Sequence, residues 1–196
     1  MTNDILLPTY SGKFFKVNNP KINDIVIEDI AHHLSNIGRF TGSAFRFYSV
    51  AEHSLMVSYL FDDLLLAKVA LLHDSAEAYV GDVISPIKRH LPQYQSLEQK
   101  ILSAIQSRFS VLLDLELDSL SMVKLADQFA LVQEGRFFFN TQEWQEFWER
   151  EYLKIQSHLP NNWNDIWYNH FDWHVGHPNE IIKMRFLQRA EELGVY

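Results

Sequence analysis

The chain contains no cysteine. That excludes disulfides, a thiolate nucleophile and any sulfur-based zinc site, so a metal here must rest on imidazole and carboxylate alone. Cations are scarce as well: 17 Lys and Arg stand against 25 Asp and Glu, a net charge of −8. Nucleic-acid polymers and anionic membranes both select clustered Lys and Arg, so neither is expected as a partner. A small anionic ligand remains compatible if a few cations are placed locally. No apolar run reaches membrane-spanning length, no basic segment leads into an apolar one at the start, and there are no repeats, low-complexity tracts or linkers. The expectation is a cytoplasmic protein without a membrane segment.

What is present suits a packed core. Of 196 residues, 47 % are apolar and 14 % aromatic, which predicts one globular domain over residues 1–196. The first 25 residues read as an extended or hairpin-like lead-in. Ile27, Ile30, Ala31, Leu34 and Ile37 then mark one helical face, ended by Gly38. The stretch RFTGSAFRFYS has no helical period and concentrates rings and cations, so it predicts a loop. Ser49 and Glu52 have the spacing of a capping box and start a helix that carries His53 in its first turn. A central helix is predicted over 64–79, another from Pro92 to about Phe109, a long one over 119–139 and a ring-rich one over 141–156. VLLDLELDS between them reads as a connector or short strand, and NNWNDIWYNHFDWHVGHPNE as aromatic and irregular. Pro178 and Asn179 open a last helix. The fold class is therefore all-α, a compact bundle of roughly seven helices.

The chemistry concentrates in LLHDSAEAYVGD. His73 and Asp74 sit side by side after Ala70, Leu71 and Leu72, and ionisable groups in such a setting call for a counter-ion or a metal. Glu77 follows His73 by four positions, which on a helix would put both on one face. His53 and Asp127 stand on two other predicted helices, each where a helix would otherwise present core. Two imidazoles and two carboxylates suit a divalent ion such as Mn, Co, Fe, Ni, Zn or Mg.

In order, His53, His73-Asp74 and Asp127 resemble the ligand pattern of the HD-domain phosphohydrolases. RFTGSAFRFYSVAEHS, LLHDSAEAYVGDVISPIKR and KLADQFAL are similar to the nucleotide-hydrolysing branch, which contains bacterial 5′-deoxynucleotidases and phage dATP triphosphohydrolases. The likeness covers about residues 27–135; the aromatic-rich helices of 137–196 add little to it. It implies an HD-domain bundle, one divalent metal held by His53, His73, Asp74 and Asp127, and hydrolysis of a deoxynucleoside 5′-phosphate at the α-phosphorus. The products would be a deoxynucleoside and either phosphate or triphosphate. By the same likeness Glu77 orients or deprotonates the attacking water, and Asp82 is a second polar group beside it. Arg39 and Lys88 contact sugar or phosphate, and Phe40 stands where members carry a base-side aromatic, often Trp. Phosphate ester hydrolysis needs a nucleophile at neutral pH and cations where charge accumulates, and these residue types supply both.

Other readings start from the same residues. The family also includes cyclic-nucleotide phosphodiesterases, and a nucleotide sensor would bind without turnover; Glu77 weighs against the sensor. A purely structural helical protein would make the His and Asp set coincidental. His170, His174 and His177 have spacing that can bind metal, but in a segment better read as structural. The rings at Phe137–Phe139, Trp144, Phe147 and Trp148 are expected to make core or a homo-oligomer interface.

Overall fold

The computed structural model describes residues 4–111 and 117–196. The core of the connector VLLDLELDS and the side chain of His174 lie outside the described residues. The fold is mostly α, as the periodicity predicts. The lead-in forms a short antiparallel hairpin of β1 (Leu6–Pro8) and β2 (Phe14–Lys16), with Leu7 opposite Phe15. Its turn is tied to α1 (Ile27–Asn36) by the buried carboxylate of Asp29, which accepts from the backbone N–H of Ser11 at 2.6 Å and from its hydroxyl at 3.0 Å.

The centre of the molecule is α2 (Val50–Tyr59), which opens on the capping box of Ser49 and Glu52. Nine of its residues, Val50 to Ser58, are buried. A helix covered on every side belongs in the middle of a bundle. It is flanked by α1, by α3 (Leu64–Leu72), and by α7 (Leu117–Phe138), α9 (Trp163–His174) and α10 (Asn179–Glu192). Between α3 and α7 run two single-turn helices, α4 (Glu77–Val80) and α5 (Ser85–Lys88), and the longer α6 (Pro92–Arg108). Outside α7 lies α8 (Gln142–Ile155), capped by Thr141. No helix among the described residues is long and apolar enough to cross a membrane.

Two expectations need correction. The segment read as irregular and aromatic is largely helical: Trp163, Trp167 and Phe171 recur every four residues and are buried in α9. Polar residues between them mask that period in the sequence. The helix predicted over 64–79 is not continuous, because α3 ends at Leu72 and the chain makes tight turns through His73–Ala76 before α4.

Candidate metal centre

Why the helix stops at His73 follows from what its side chain does. The Nδ1 of His73 is 2.7 Å from the carbonyl oxygen of Ala70, so the imidazole satisfies a carbonyl freed at the helix end. The following backbone bonds, Ser75 N–H to Leu72 O and Glu77 N–H to Asp74 O, span three residues and tighten the coil. Adjacent residues of a regular helix point about 100° apart. In the turn, Asp74 instead brings Oδ2 to 3.2 Å from the Nε2 of its neighbour His73.

His53 of α2 and Asp127 of α7 complete the cluster. His53 Nε2 lies 3.3 Å from His73 Nε2, 3.1 Å from Asp127 Oδ1 and 3.7 Å from Asp74 Oδ2. The donor atoms of His53, His73 and Asp127 all fall within 4.8 Å of one another, the arrangement of a group able to hold a metal ion. Two donors each about 2.1 Å from one ion stand about 3.0–3.4 Å apart in octahedral or tetrahedral geometry, and the observed separations are of that order. Exposure rises across the set, from 0 % for the His53 side chain to 13 % for His73, 23 % for Asp74 and 39 % for Asp127. The donors thus form a well with a solid floor and an open mouth.

The electrostatics follow from crowding. Burial pushes Asp74 up, but His73 and His53 outweigh it and hold the carboxyl at about 2. Asp127 is likewise held well below its ordinary value against burial, by the two imidazoles. Burial lowers His73, yet Asp74 and Asp127 bring it well above its ordinary value, and His53 is raised in the same way by Glu134 and Asp127. Protons on the imidazoles thus balance the two carboxylates, and with both imidazoles neutral, as ligation requires, two negative charges would face a bound cation.

Beside the well, Glu77 at the start of α4 is buried, its Oε2 without a hydrogen-bond partner and its Oε1 3.4 Å from Lys88 Nζ. Burial, then Asp74 and Asp82, push its carboxyl well above the ordinary value, against Lys88 and Arg39. Asp82, just after Gly81, is raised for the same reasons, burial first and Asp74 next among the raising groups. Gly81 itself has φ +81°, a conformation that fits glycine, and turns the chain so that Asp82 stays near. Lys88 is held by Glu98 at 2.6 Å; that bond and the Glu77 charge keep it firmly protonated despite burial.

Arg39 enters from the loop closed by the bridge between Gly38 and Ser49. Its Nε donates to Glu134 Oε2 at 3.1 Å, Nη2 lies 3.1 Å from the same oxygen, and Nη1 is 3.7 Å from Asp74 Oδ2. Phe40 and Thr41 follow with φ of 55° and 53°, a left-handed pair rare outside glycine. This turn lays Phe40 against Phe138 and Phe139, at ring distances of 6.2 and 5.3 Å, with Arg39 against its face. His170 stacks on Tyr59, 4.5 Å between centroids, away from the cluster.

All nine residues singled out from sequence thus sit in or beside one region, with Phe40 the most engaged in packing. The residue that sequence reasoning missed is Glu134. Its side chain is fully buried, and it accepts from His53 Nδ1 at 2.6 Å and Tyr48 OH at 2.9 Å on Oε1, and from Arg39 on Oε2. Burial raises it, but Arg39 and His53 more than offset that and keep it ionised. A signal did exist: Glu134 follows Asp127 by seven residues, two helical turns along the same face of α7.

No protein-family profile matches the chain. It is 44 % identical over 105 residues to Uncharacterized protein YfdR of Escherichia coli (strain K12), a match covering 54 % of this chain and 58 % of that one. It is 38 % identical over 112 residues to Uncharacterized protein RCAP_rcc00048 of Rhodobacter capsulatus, covering 52 % and 56 %. The chain therefore spans under three fifths of the length of these relatives, and neither name carries a reaction.

Proposed function

We propose that the chain is a metal-dependent phosphohydrolase of the HD type that acts on deoxynucleoside 5′-phosphates at the α-phosphorus. The observation that carries the reading is the grouping of the His53, His73 and Asp127 donors within 4.8 Å of one another, with Asp74 Oδ2 3.2 Å from His73 Nε2 and the unpartnered buried Oε2 of Glu77 beside them. His53, His73, Asp74 and Asp127 would hold the ion. Bound there, a divalent ion supplies Lewis-acid stabilisation of the phosphoryl group and makes water more acidic.

The other steps belong to side chains. Glu77, its proton affinity raised by burial and by Asp74 and Asp82, takes a proton from the attacking water and returns it to the departing 5′-oxygen of the nucleoside. Asp82 supports Glu77 by keeping its proton affinity high. Arg39, its guanidinium fixed by Glu134, directs Nη1 at a phosphoryl oxygen, and Lys88 adds a second positive charge. Phe40 offers an aromatic edge to the base. The exposed rings Phe45, Phe137 and Trp144 suit self-association, which light scattering of the purified chain would read out.

The test is product analysis with deoxy- and ribonucleoside 5′-mono- and triphosphates in the presence of Mn or Co, with Asp74→Ala alongside. The expected outcome is free deoxynucleoside from the wild type alone, with the co-product identifying the phosphate length. No turnover by a wild-type chain that holds its metal would refute the reading.

A further inference from the structure

Glu134 is a fully buried charged group of the site, and its three partners come from two places: Arg39 and Tyr48 from the 38–49 loop, and His53 from α2. A core ion pair needs only Arg39. The contact to His53 is different in kind, because it lies on the ring nitrogen opposite the one that faces the cluster. We infer that Glu134 is a positioning residue: it holds His53 with its proton on Nδ1, so reserving Nε2 for a divalent ion, while its second oxygen fixes Arg39. The inference rests on the phosphohydrolase reading of the site.

The argument is one of proton counting. An ionised carboxylate has no hydrogen to give, so at 2.6 Å from Glu134 Oε1 the His53 Nδ1 must be the donor. A neutral imidazole carries one N–H, which leaves Nε2 as a bare lone pair. His73 obeys the same rule through the carbonyl oxygen of Ala70 at 2.7 Å, which can only accept. When both imidazoles are neutral, as ligation requires, their bare nitrogens 3.3 Å apart, with Asp127 Oδ1 and Asp74 Oδ2 around them, need a cation between them. Backing a ligating imidazole with a carboxylate is the general way its tautomer and ring orientation are set. On the other flank, Oε2 occupies Nε and Nη2 of Arg39 and leaves Nη1 on the Asp74 side. One carboxylate thus sets the pose of both a metal donor and a phosphate donor.

Glu134→Gln tests this because an amide has one accepting oxygen. With that oxygen toward His53 and Tyr48, the NH2 abuts the Arg39 guanidinium. With it toward Arg39, the NH2 donates to His53 Nδ1 and drives the imidazole proton onto Nε2. Chelator competition with zinc should show affinity about 10–100-fold weaker in E134Q, whereas Tyr48→Phe, which leaves the carboxylate, should bind zinc much as the wild type does. Nitrogen-15 NMR of the zinc-loaded wild type, with His53 assigned by its loss in His53→Asn, should show a protonated Nδ1 and an unprotonated, zinc-bound Nε2. A proton on Nε2 overturns the inference, and this measurement decides alone if E134Q does not fold. Zinc bound equally by wild type and E134Q overturns this inference only. A wild type that takes up no zinc, cobalt or manganese overturns the functional reading and this with it.

Discussion

Glu77→Gln should make the chain more stable and less active, and the stability gain should depend on pH in a specified direction. In the fold, burial and the charges of Asp74 and Asp82 hold the Glu77 carboxyl well above its ordinary value of 4.5. The folded chain therefore keeps a proton that the unfolded chain releases, and wild-type stability falls as pH rises past about 4.5, flattening once the folded carboxyl has itself ionised. Glutamine carries no such proton. The difference between the two proteins should be absent near pH 4 and fully developed once the pH exceeds the folded value.

The substitution also removes the 3.4 Å contact with Lys88, but Lys88 keeps its nearer partner Glu98 at 2.6 Å, so no buried charge is orphaned. Relief of like-charge crowding should win. Stabilising substitutions at strained functional positions commonly gain about 0.5–2 kcal/mol, which in a chain of this size raises Tm by about 1–8 °C. The assay is thermal melting of metal-free protein in chelator across pH, so that no bound cation screens the carboxylates. Hydrolysis, measured with metal, should fall about 10²–10⁴-fold in kcat, the usual worth of a positioned base. A less stable E77Q at alkaline pH, an equal gap at every pH, or retained turnover would each refute the reasoning.

Chelation of a metal-loaded wild type should lower Tm by about 5–10 °C, since saturation at a hundredfold excess over Kd contributes about 2.7 kcal/mol; His53→Asn, lacking a donor, should show almost no chelator effect in the same melt. Arg39→Lys keeps the charge but cannot place two donors on Glu134 Oε2 and a third toward Asp74, so steady-state kinetics should show a raised KM together with a lowered kcat. Gly135→Ala should lower Tm by about 2–12 °C, the effect of about 1–3 kcal/mol of overpacking, because a Cβ there would sit inside the Trp148 ring; an unchanged melt would show that α8 can move away freely.

The parts of the fold that were legible in the sequence are those where one side of a helix is wet. The apolar face of α1 could be read directly because solvent leaves the opposite positions polar, and the Ser49 and Glu52 capping box by its spacing alone, since both residues are buried. The site residues were legible for a related reason: charged side chains are conspicuous against the apolar runs of α2, buried from Val50 to Ser58, and of α3, buried from Val69 to Leu72. What could not be read was the end of α3. Nothing near His73 breaks a helix by itself, with neither glycine nor proline before Gly81, and the local preference of LLHDSAEAYV is helical throughout. Tertiary contacts override it. Glu134 was hidden by the opposite fault: a glutamate in VQEGRFF looks like any solvated helix carboxylate, and only the partners brought by the fold, Arg39, Tyr48 and His53, make a buried one tolerable.

The break after Leu72 and the depth of Glu134 solve one geometric problem. Two neighbouring residues on a continuous helix diverge too far to share an ion, so a His-Asp pair becomes bidentate only if the helix yields, and it does so where the His73 ring can replace the lost backbone donor at Ala70. On α7 the spacing is the reverse. Asp127 and Glu134 are two turns apart on one face, so a straight helix carries one carboxylate to the mouth of the well and the other to its floor, behind His53. Any shift of α7 along its axis would move both at once. Trp148 of α8 seated against Gly135, the residue next to Glu134, resists that shift by shape alone. The site therefore depends on α3 being interrupted and on α7 staying regular, which is why substitutions that alter the packing of α7 should disturb donor geometry without touching a donor.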